Sequence, residues 1–153
     1  MRLVVQRVRE ASVTVGGESV AAIGGGVLVL AGMGHAAAQP ETWPKIEAAL
    51  AKLPVLRIFP DDHGHMNVSL TDYGGEILLV SQFTLYADCR KGRRPSFHLA
   101  CPPDIAGPLF EKVLTATEKL LPGRVRSGIF AADMDVALTN WGPVTILLDS
   151  DDF

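Results

Sequence analysis

Residues 2–31 read RLVVQRVREASVTVGGESVAAIGGGVLVLA. Leu3, Val5 and Arg7 alternate with Val4, Gln6 and Val8, the two-residue period of a strand. Ser12–Val15 and Glu18–Ile23 flank Gly16-Gly17, a two-residue hairpin turn in which glycine tolerates positive φ. Gly24-Gly25-Gly26 makes a second turn. Val27–Ala31 is a continuous apolar run and reads as a buried strand. The chain therefore opens as a sheet, and the remainder has to cover it.

Working outward, Glu41–Leu53 predicts a first helix. Trp43, Ile46, Leu50 and Leu53 fall on one face, Thr42 is placed to cap it, Pro44 sits in its first turn, and Pro54 ends it. Val55–Phe59 reads as a short strand, Pro60–Gly64 as a polar turn, and Glu76–Gln82 as the most apolar, central strand. A second helix lies within Pro103–Leu121, with Leu109, Val113, Thr117, Leu120 and Leu121 on one face. If it starts at Pro103, Pro108 removes an interior hydrogen bond; if it starts near Gly107, Pro108 sits harmlessly in the first turn. Gly123 suits the residue just past its end. Strands follow at Asp135–Thr139 and Val144–Leu148. Many strands and two helices make a mixed α/β fold, and 153 residues suggest one domain spanning 1–153.

Composition narrows the function. Hydrophobic residues are 48% and charged residues 20%, the balance of a globular chain and not of a disordered one. Fourteen basic against seventeen acidic residues give a net charge of −3, which argues against a long, non-specific DNA or RNA footprint. Cys89 and Cys101 are too few for a disulfide framework and read as free thiols in a reducing compartment. MRLVVQRV has no apolar signal-peptide core. The most apolar stretch, Ala21–Gly34, carries five glycines and is too short for a membrane span. A soluble, cytoplasmic protein is expected, with no membrane partner.

Most candidate chemistry has a plainer explanation. Gly24-Gly25-Gly26 lacks the Lys-Ser or Lys-Thr and the helix context of a phosphate loop. Asp61, Asp62, His63 and His65 offer metal-ligand types, but Asp-Asp-His-Gly is also an ordinary exposed turn, so no metal is assigned. His35 and His98 resemble surface histidines. Cys89 has basic neighbours that would lower its pKa and His98 nearby in sequence, yet a Cys–His pair is a matter of geometry, and a free thiol at a strand end is the simpler reading.

Three segments stand apart. At Ser81-Gln82-Phe83-Thr84-Leu85 a buried apolar strand turns abruptly polar, offering hydroxyls, amides and backbone N–H groups at a sheet margin, where ligands commonly bind. Arg90-Lys91-Gly92-Arg93-Arg94 packs four cations into five positions; the other ten basic residues face seventeen acidic ones, a balance of −7. Asn140-Trp141-Gly142-Pro143-Val144-Thr145 places Gly-Pro between two strands, by default a turn.

Together these segments resemble the D-aminoacyl-tRNA deacylase family along essentially the whole chain. MRLVVQRVREASVTVGG looks like its first hairpin, and RIFPDDHGHMN like its RIF-turn-MN segment. VSQFTLYAD carries its S-Q-x-x-L motif, RRPSF and GIFAADM resemble two further blocks, and NWGPVT carries its N-x-G-P-x-T motif. Two separated motifs with collinear lesser blocks are specific; either alone is weak. Trp141 is unusually large for its position, and Tyr86 stands where smaller residues also occur. Intact SQFTL and NWGPVT argue against the animal subgroup that carries modified motifs.

The resemblance implies a largely antiparallel mixed sheet curled into a barrel-like core with two main helices outside. It implies a homodimer that hydrolyses the ester between a D-amino acid, or glycine, and the 3′-terminal ribose of tRNA. Ser81, Gln82, Phe83 and Thr84 would surround the ribose and ester. Gly142 and Pro143, joined by a cis bond, would enter the partner subunit's site, hold the substrate's amino group and leave no room for an L side chain. Asn140, Thr145 and Met134 would support these motifs. Thr84 is the obvious nucleophile from chemistry alone, but no histidine or carboxylate pairs with it in sequence. The family instead implies catalysis assisted by the tRNA 2′-hydroxyl, with backbone N–H groups on the developing oxyanion. Arg90, Lys91, Arg93 and Arg94 are expected to hold phosphates of the tRNA acceptor end. No cofactor and no DNA partner are expected. Trp141 is expected at the rim of the site or in the dimer interface. Two competing functions are an esterase for small D-amino-acid derivatives and a non-catalytic RNA-binding dimer; deacylation, its salt sensitivity and activity on a D-amino-acid methyl ester separate them.

Overall fold

A computed structural model describes all 153 residues. The strands are β1 (Arg2–Val15), β2 (Glu18–Ile23), β3 (Gly26–Gly32), β4 (Phe59–Pro60), β5 (Met66–Val68), β6 (Glu76–Ser81), β7 (Val125–Ser127) and β8 (Asp135–Asp149). The helices are α1 (Trp43–Leu50), α2 (Leu70–Tyr73) and α3 (Pro103–Leu120). The main sheet runs β2-β1-β3-β6-β7, with β8 on the other edge of β1; β4 and β5 form a small separate ribbon. β1 is antiparallel to β2, β3 and β8, whereas β3–β6 and β6–β7 are parallel. The expected mixed sheet, nearly closed into a barrel, is what the chain forms.

The two faces of the sheet bury different residues. Val27, Val29 and Ala31 of β3 and Ile77 and Leu79 of β6 pack with Ile46 and Leu50 of α1 and Phe110 and Val113 of α3. The alternating Leu28, Leu78 and Val80 turn the other way, into a smaller core with Val8, Ala11, Val13 and Ile23 inside the curl. A strand buried on both faces reads as a continuous apolar run, which is how β3 and β6 read.

β1 is one strand where the sequence suggested two. Leu3, Val5 and Arg7 face the helix layer, while Val8, Ala11 and Val13 face the curl. This change of phase needs an odd residue. Val8 pairs with Asn140 and Glu10 with Thr139, so two steps of β1 oppose one of β8, a β-bulge that leaves Arg9 and Glu10 exposed. The turn after β1 is as expected, with Gly16 and Gly17 at φ 58° and 85°.

Other boundaries shift for local reasons. α1 is shorter than Glu41–Leu53, since Pro40–Thr42 and Leu53–Val55 wind as 3₁₀ turns at its two ends. Thr42 does not cap it: Thr42 is itself helical, at φ −82° and ψ −18°, and its side chain bonds nothing there. Val55 belongs to the 3₁₀ turn, so the strand expected at Val55–Phe59 begins only at Phe59. α3 starts at Pro103 and keeps Pro108 inside, one interior hydrogen bond short, with the Asp104 carbonyl lacking its usual donor. Gly123 is left-handed, at φ 76°, two residues beyond the Leu121 cap. Its N–H takes the Glu118 carboxylate at 2.7 Å, not a helix carbonyl. The two strands expected at Asp135–Thr139 and Val144–Leu148 are one strand, β8, and the Gly-Pro between them is not a chain reversal. No helix is long and apolar enough to cross a membrane.

Candidate active site

The parallel ladder of β3 and β6 ends where Ala31 faces Ser81. The Gln82 N–H donates to the Ala31 carbonyl at 2.8 Å, and Phe83–Tyr86 then winds into a 3₁₀ turn. The first N–H groups of that turn, on Phe83 and Thr84, find no acceptor within it, as at any helix start. They lie at the carboxyl ends of parallel strands, the usual place for a ligand crevice in such sheets.

The turn is seated by two glycines of the preceding segment. A Cβ on Gly32 would stand 2.8 Å from the Leu85 Cβ and 2.9 Å from the Gln82 carbonyl oxygen, and one on Gly34 would strike the Tyr86 ring. Arg2 fastens its far end. The guanidinium donates to the Leu85 carbonyl at 3.1 Å, lies 4.6 Å over the Tyr86 ring and pairs with Asp149 at 3.0 Å.

A cavity of about 590 Å³ opens beside this turn. Ser81, Gln82 and Phe83 form one wall; Met134, Phe130, Ala106 and Cys101 are among the apolar residues opposite. Phe83 is 56% exposed and meets Phe97 edge-on at 4.9 Å, so an aromatic pair flanks the opening. Thr84 does not line the cavity. Its hydroxyl accepts a 2.5 Å hydrogen bond from the Gln82 side-chain amide, and no histidine or carboxylate bonds it. Burial, aided by the Asp104 carboxylate, pushes the Cys101 thiol up, which leaves it a neutral wall residue.

The basic segment is a loop closed by the pairing of Asp88 with Ser96, just before Phe97. Arg90 is not a free cation there. It grips Asp88 through two side-chain bonds of 2.8 and 2.7 Å, and this grip holds the Asp88 carboxyl well below the usual carboxylate range. Lys91, Arg93 and Arg94 make no ion pair and are exposed. Cys89 is exposed, and the His98 ring is engaged by the Ser96 hydroxyl at 2.9 Å rather than by the thiol. In the Pro60–Gly64 turn the Asp61 carboxylate accepts the N–H groups of His63 and His65 at 2.9 and 3.0 Å. No group of three or more His, Cys, Asp or Glu side chains converges as a metal site.

Gly142 and Pro143 are not brought to this cavity within the chain. Between the pairs Gln6–Thr145 and Val8–Asn140, β8 carries three residues more than β1, and they bulge out as an exposed projection. Asn140 clasps its base: the side-chain carbonyl accepts the Val144 N–H at 2.8 Å, and the amide donates to the Thr145 hydroxyl at 3.2 Å. The Gly142–Pro143 bond is cis, and Gly142 sits at φ 140°, where a side chain would be strained.

Arg7 was missed as a functional residue, although its signal was visible as a cation in phase with Leu3 and Val5 on the apolar face. It is buried and donates to the Trp141 carbonyl at 2.7 Å and to the Ile58 carbonyl. Trp141 does not line the cavity of its own chain and is only partly buried. It packs on Phe59 and Tyr73 of its own chain, at ring separations of 6.2 and 5.9 Å.

Comparison with known proteins identifies the family and the fold. The family model described as D-Tyr-tRNA(Tyr) deacylase matches residues 4–149. A relative from Solidesulfovibrio magneticus, named D-aminoacyl-tRNA deacylase, is 60% identical over 153 residues, covering 99% of this chain and 97% of its own. One of the same name from Nitratidesulfovibrio vulgaris is 59% identical, covering 97% and 93%. A solved structure titled c-Myc DNA Unwinding Element Binding Protein superposes with TM-score 0.88 at 43% identity, over 97% of this chain and 98% of that one. A second, titled as a probable eukaryotic D-amino acid tRNA deacylase, shares the fold with TM-score 0.79 at 21% identity, over 96% and 97%. The chain belongs to the D-Tyr-tRNA(Tyr) deacylase family.

Proposed function

We propose that this chain is an editing hydrolase that removes D-amino acids, and glycine, from the 3′ end of tRNA, acting in the cytoplasm as a homodimer of one-domain subunits. The observation that carries this reading is the pairing of an apolar cavity with an unsatisfied backbone turn and no nucleophile–base couple. An ester carbonyl placed against the Phe83 and Thr84 N–H groups would meet two fixed donors as its oxygen becomes an oxyanion. The nucleophile is then a water molecule that no protein base activates. The 2′-hydroxyl of the terminal ribose, adjacent to the ester, would orient it and relay its proton to the leaving 3′-oxygen as the acyl–oxygen bond breaks, releasing the free amino acid and the tRNA. The names of the close relatives support the substrate class.

Selectivity would come from Gly142 and Pro143 of the partner subunit. Their carbonyls would hold the substrate's amino group, and the backbone behind them would meet an L side chain. A wall of this kind cannot reject glycine, which has no side chain to meet it. Lys91, Arg93 and Arg94, on the loop leading into Phe97, would hold acceptor-end phosphates, with Arg90 bracing the loop through Asp88. No cofactor enters this reaction.

Deacylation of D-Tyr-tRNA and L-Tyr-tRNA under single-turnover conditions tests the proposal. The D substrate should be cleared in a salt-sensitive reaction, the L substrate should persist, and a D-tyrosine methyl ester should be ignored. Equal rates on the two tRNAs, or rapid cleavage of the methyl ester, would refute it.

A further inference from the structure

We propose that Trp141 is a positioning residue for stereochemical selection, holding the Gly142–Pro143 projection at the angle its work requires; this rests on the reading of that projection as the wall against L side chains. The Asn140–Thr145 clasp closes the base of the projection but makes no bond to its tip. Trp141 stands between clasp and tip, and its indole is held from several sides. Phe59, fully buried, meets it edge-on at 6.2 Å. Tyr73, at 5.9 Å, is itself stacked on Phe59 at 4.3 Å and 10°. The guanidinium carbons of Arg7 and Arg9 lie 4.7 and 4.3 Å from the indole centroid.

These contacts join the projection to the main core. They also bear on charge. Neither Arg7 nor Arg9 has a carboxylate partner, and burial, together with the neighbouring Arg9, lowers the Arg7 pKa. The electron-rich face of the indole is the favourable surface both cations share. Arg7 then reaches the tip: its Nη2 would lie 2.9 Å from a Cβ on Gly142. Removing the indole would strip the arm that carries Gly142 of its packing, leaving it held by the Asn140 clasp and by the Arg7 hydrogen bond to the Trp141 carbonyl alone. A wall that excludes by contact fails when it moves by about 1 Å, a displacement that costs on the order of a hundredfold at a reacting centre.

The test is the ratio of kcat/KM on D-Tyr-tRNA to that on L-Tyr-tRNA. Partial unfolding lowers both rates equally and leaves this ratio unmoved, so it separates positioning from simple destabilisation. Trp141→Ala should lower the ratio by about tenfold or more, and Trp141→Phe, which keeps an aromatic face, should restore most of it. Should Trp141→Ala fail to fold, Arg9→Gln removes one exposed guanidinium and should shift the ratio in the same direction. Gly142→Ala is the control on the underlying reading. If it abolishes selectivity while Trp141→Ala, or Arg9→Gln in its place, leaves the wild-type ratio, the role of Trp141 is overturned alone. If the wild type does not distinguish the two substrates, the reading of the projection falls as well.

Discussion

Thr84 has the chemistry of a nucleophile and the surroundings of a structural residue. Its hydroxyl accepts from Gln82, lies outside the cavity lining and has no base beside it. Thr84→Ala should therefore keep single-turnover deacylation within about tenfold of wild type, whereas loss of a true nucleophile costs on the order of 10⁶-fold. Replacing the 2′-hydroxyl of the terminal ribose with hydrogen should abolish the reaction. An inactive Thr84→Ala with normal tRNA binding and a working 2′-deoxy substrate would reverse the assignment. Gly32 makes the opposite case, a residue with no chemistry and a strict position. A methyl group there would press on Leu85 and on the Gln82 carbonyl at 2.8 and 2.9 Å. Gly32→Ala should cost about 1–3 kcal/mol in urea unfolding, as overpacking does. It should also lower kcat, because the Phe83 and Thr84 N–H groups move with the turn.

Among elements, the loop from Asp88 to Ser96 shows where charge in sequence and charge in space differ. Four cations in five positions read as one patch, but Arg90 is spent on Asp88 and three remain free. Arg93→Ala with Arg94→Ala should weaken tRNA binding and reduce the slope of log K against log salt by about 1.5, the share of two lost phosphate contacts. Unchanged affinity would make the loop a mere solvated turn. Because Arg90 bonds to the ionised form of Asp88, the folded carboxyl titrates below its unfolded value. The support this pair gives the loop is thus full above the unfolded value near pH 3.9 and fades only as pH falls toward the lower folded one. Carbon NMR of the Asp88 carboxyl should show no protonation step between pH 7 and about 4. The strand period, the apolar runs of β3 and β6 and the polar switch at Ser81 were all legible in sequence, because each is local. The continuity of β1 and β8 was not. The bulge at Arg9 and Glu10 breaks the alternation that would mark one strand, and Gly-Pro is a turn unless an external ladder with β1 holds both of its arms. Thr42 failed as a cap because Pro40 had already begun a helical turn before it.

For the whole molecule, the site and its proposed selector are separate features of one chain. The cavity opens at the carboxyl ends of β3 and β6, and nothing from Asn140 to Thr145 lines it. The selector bulges from β8, a 15-residue strand whose outer edge is unpaired and which leaves Leu147 64% exposed. A long bare edge with an apolar side chain invites a second chain. Net charge fits the same division: an acidic body would limit non-specific RNA contact, and the three free cations of the loop would concentrate attraction beside the cavity. If each site takes its cavity from one subunit and its wall from the other, two defective chains must complement. A subunit with Gln82→Ala spoils a cavity but donates a sound wall; one with Gly142→Val spoils the wall but keeps a sound cavity. In their heterodimer both defects fall in one site, and the other is wild type in every part. The Gln82→Ala homodimer should clear neither tRNA, and the Gly142→Val homodimer should not distinguish D-Tyr-tRNA from L-Tyr-tRNA. After unfolding and refolding an equal mixture, half the dimers are mixed and half their sites are intact, so about one quarter of the wild-type D-selective rate should return. Were cavity and wall supplied by the same chain, every site in the mixture would carry one defect and nothing would be recovered.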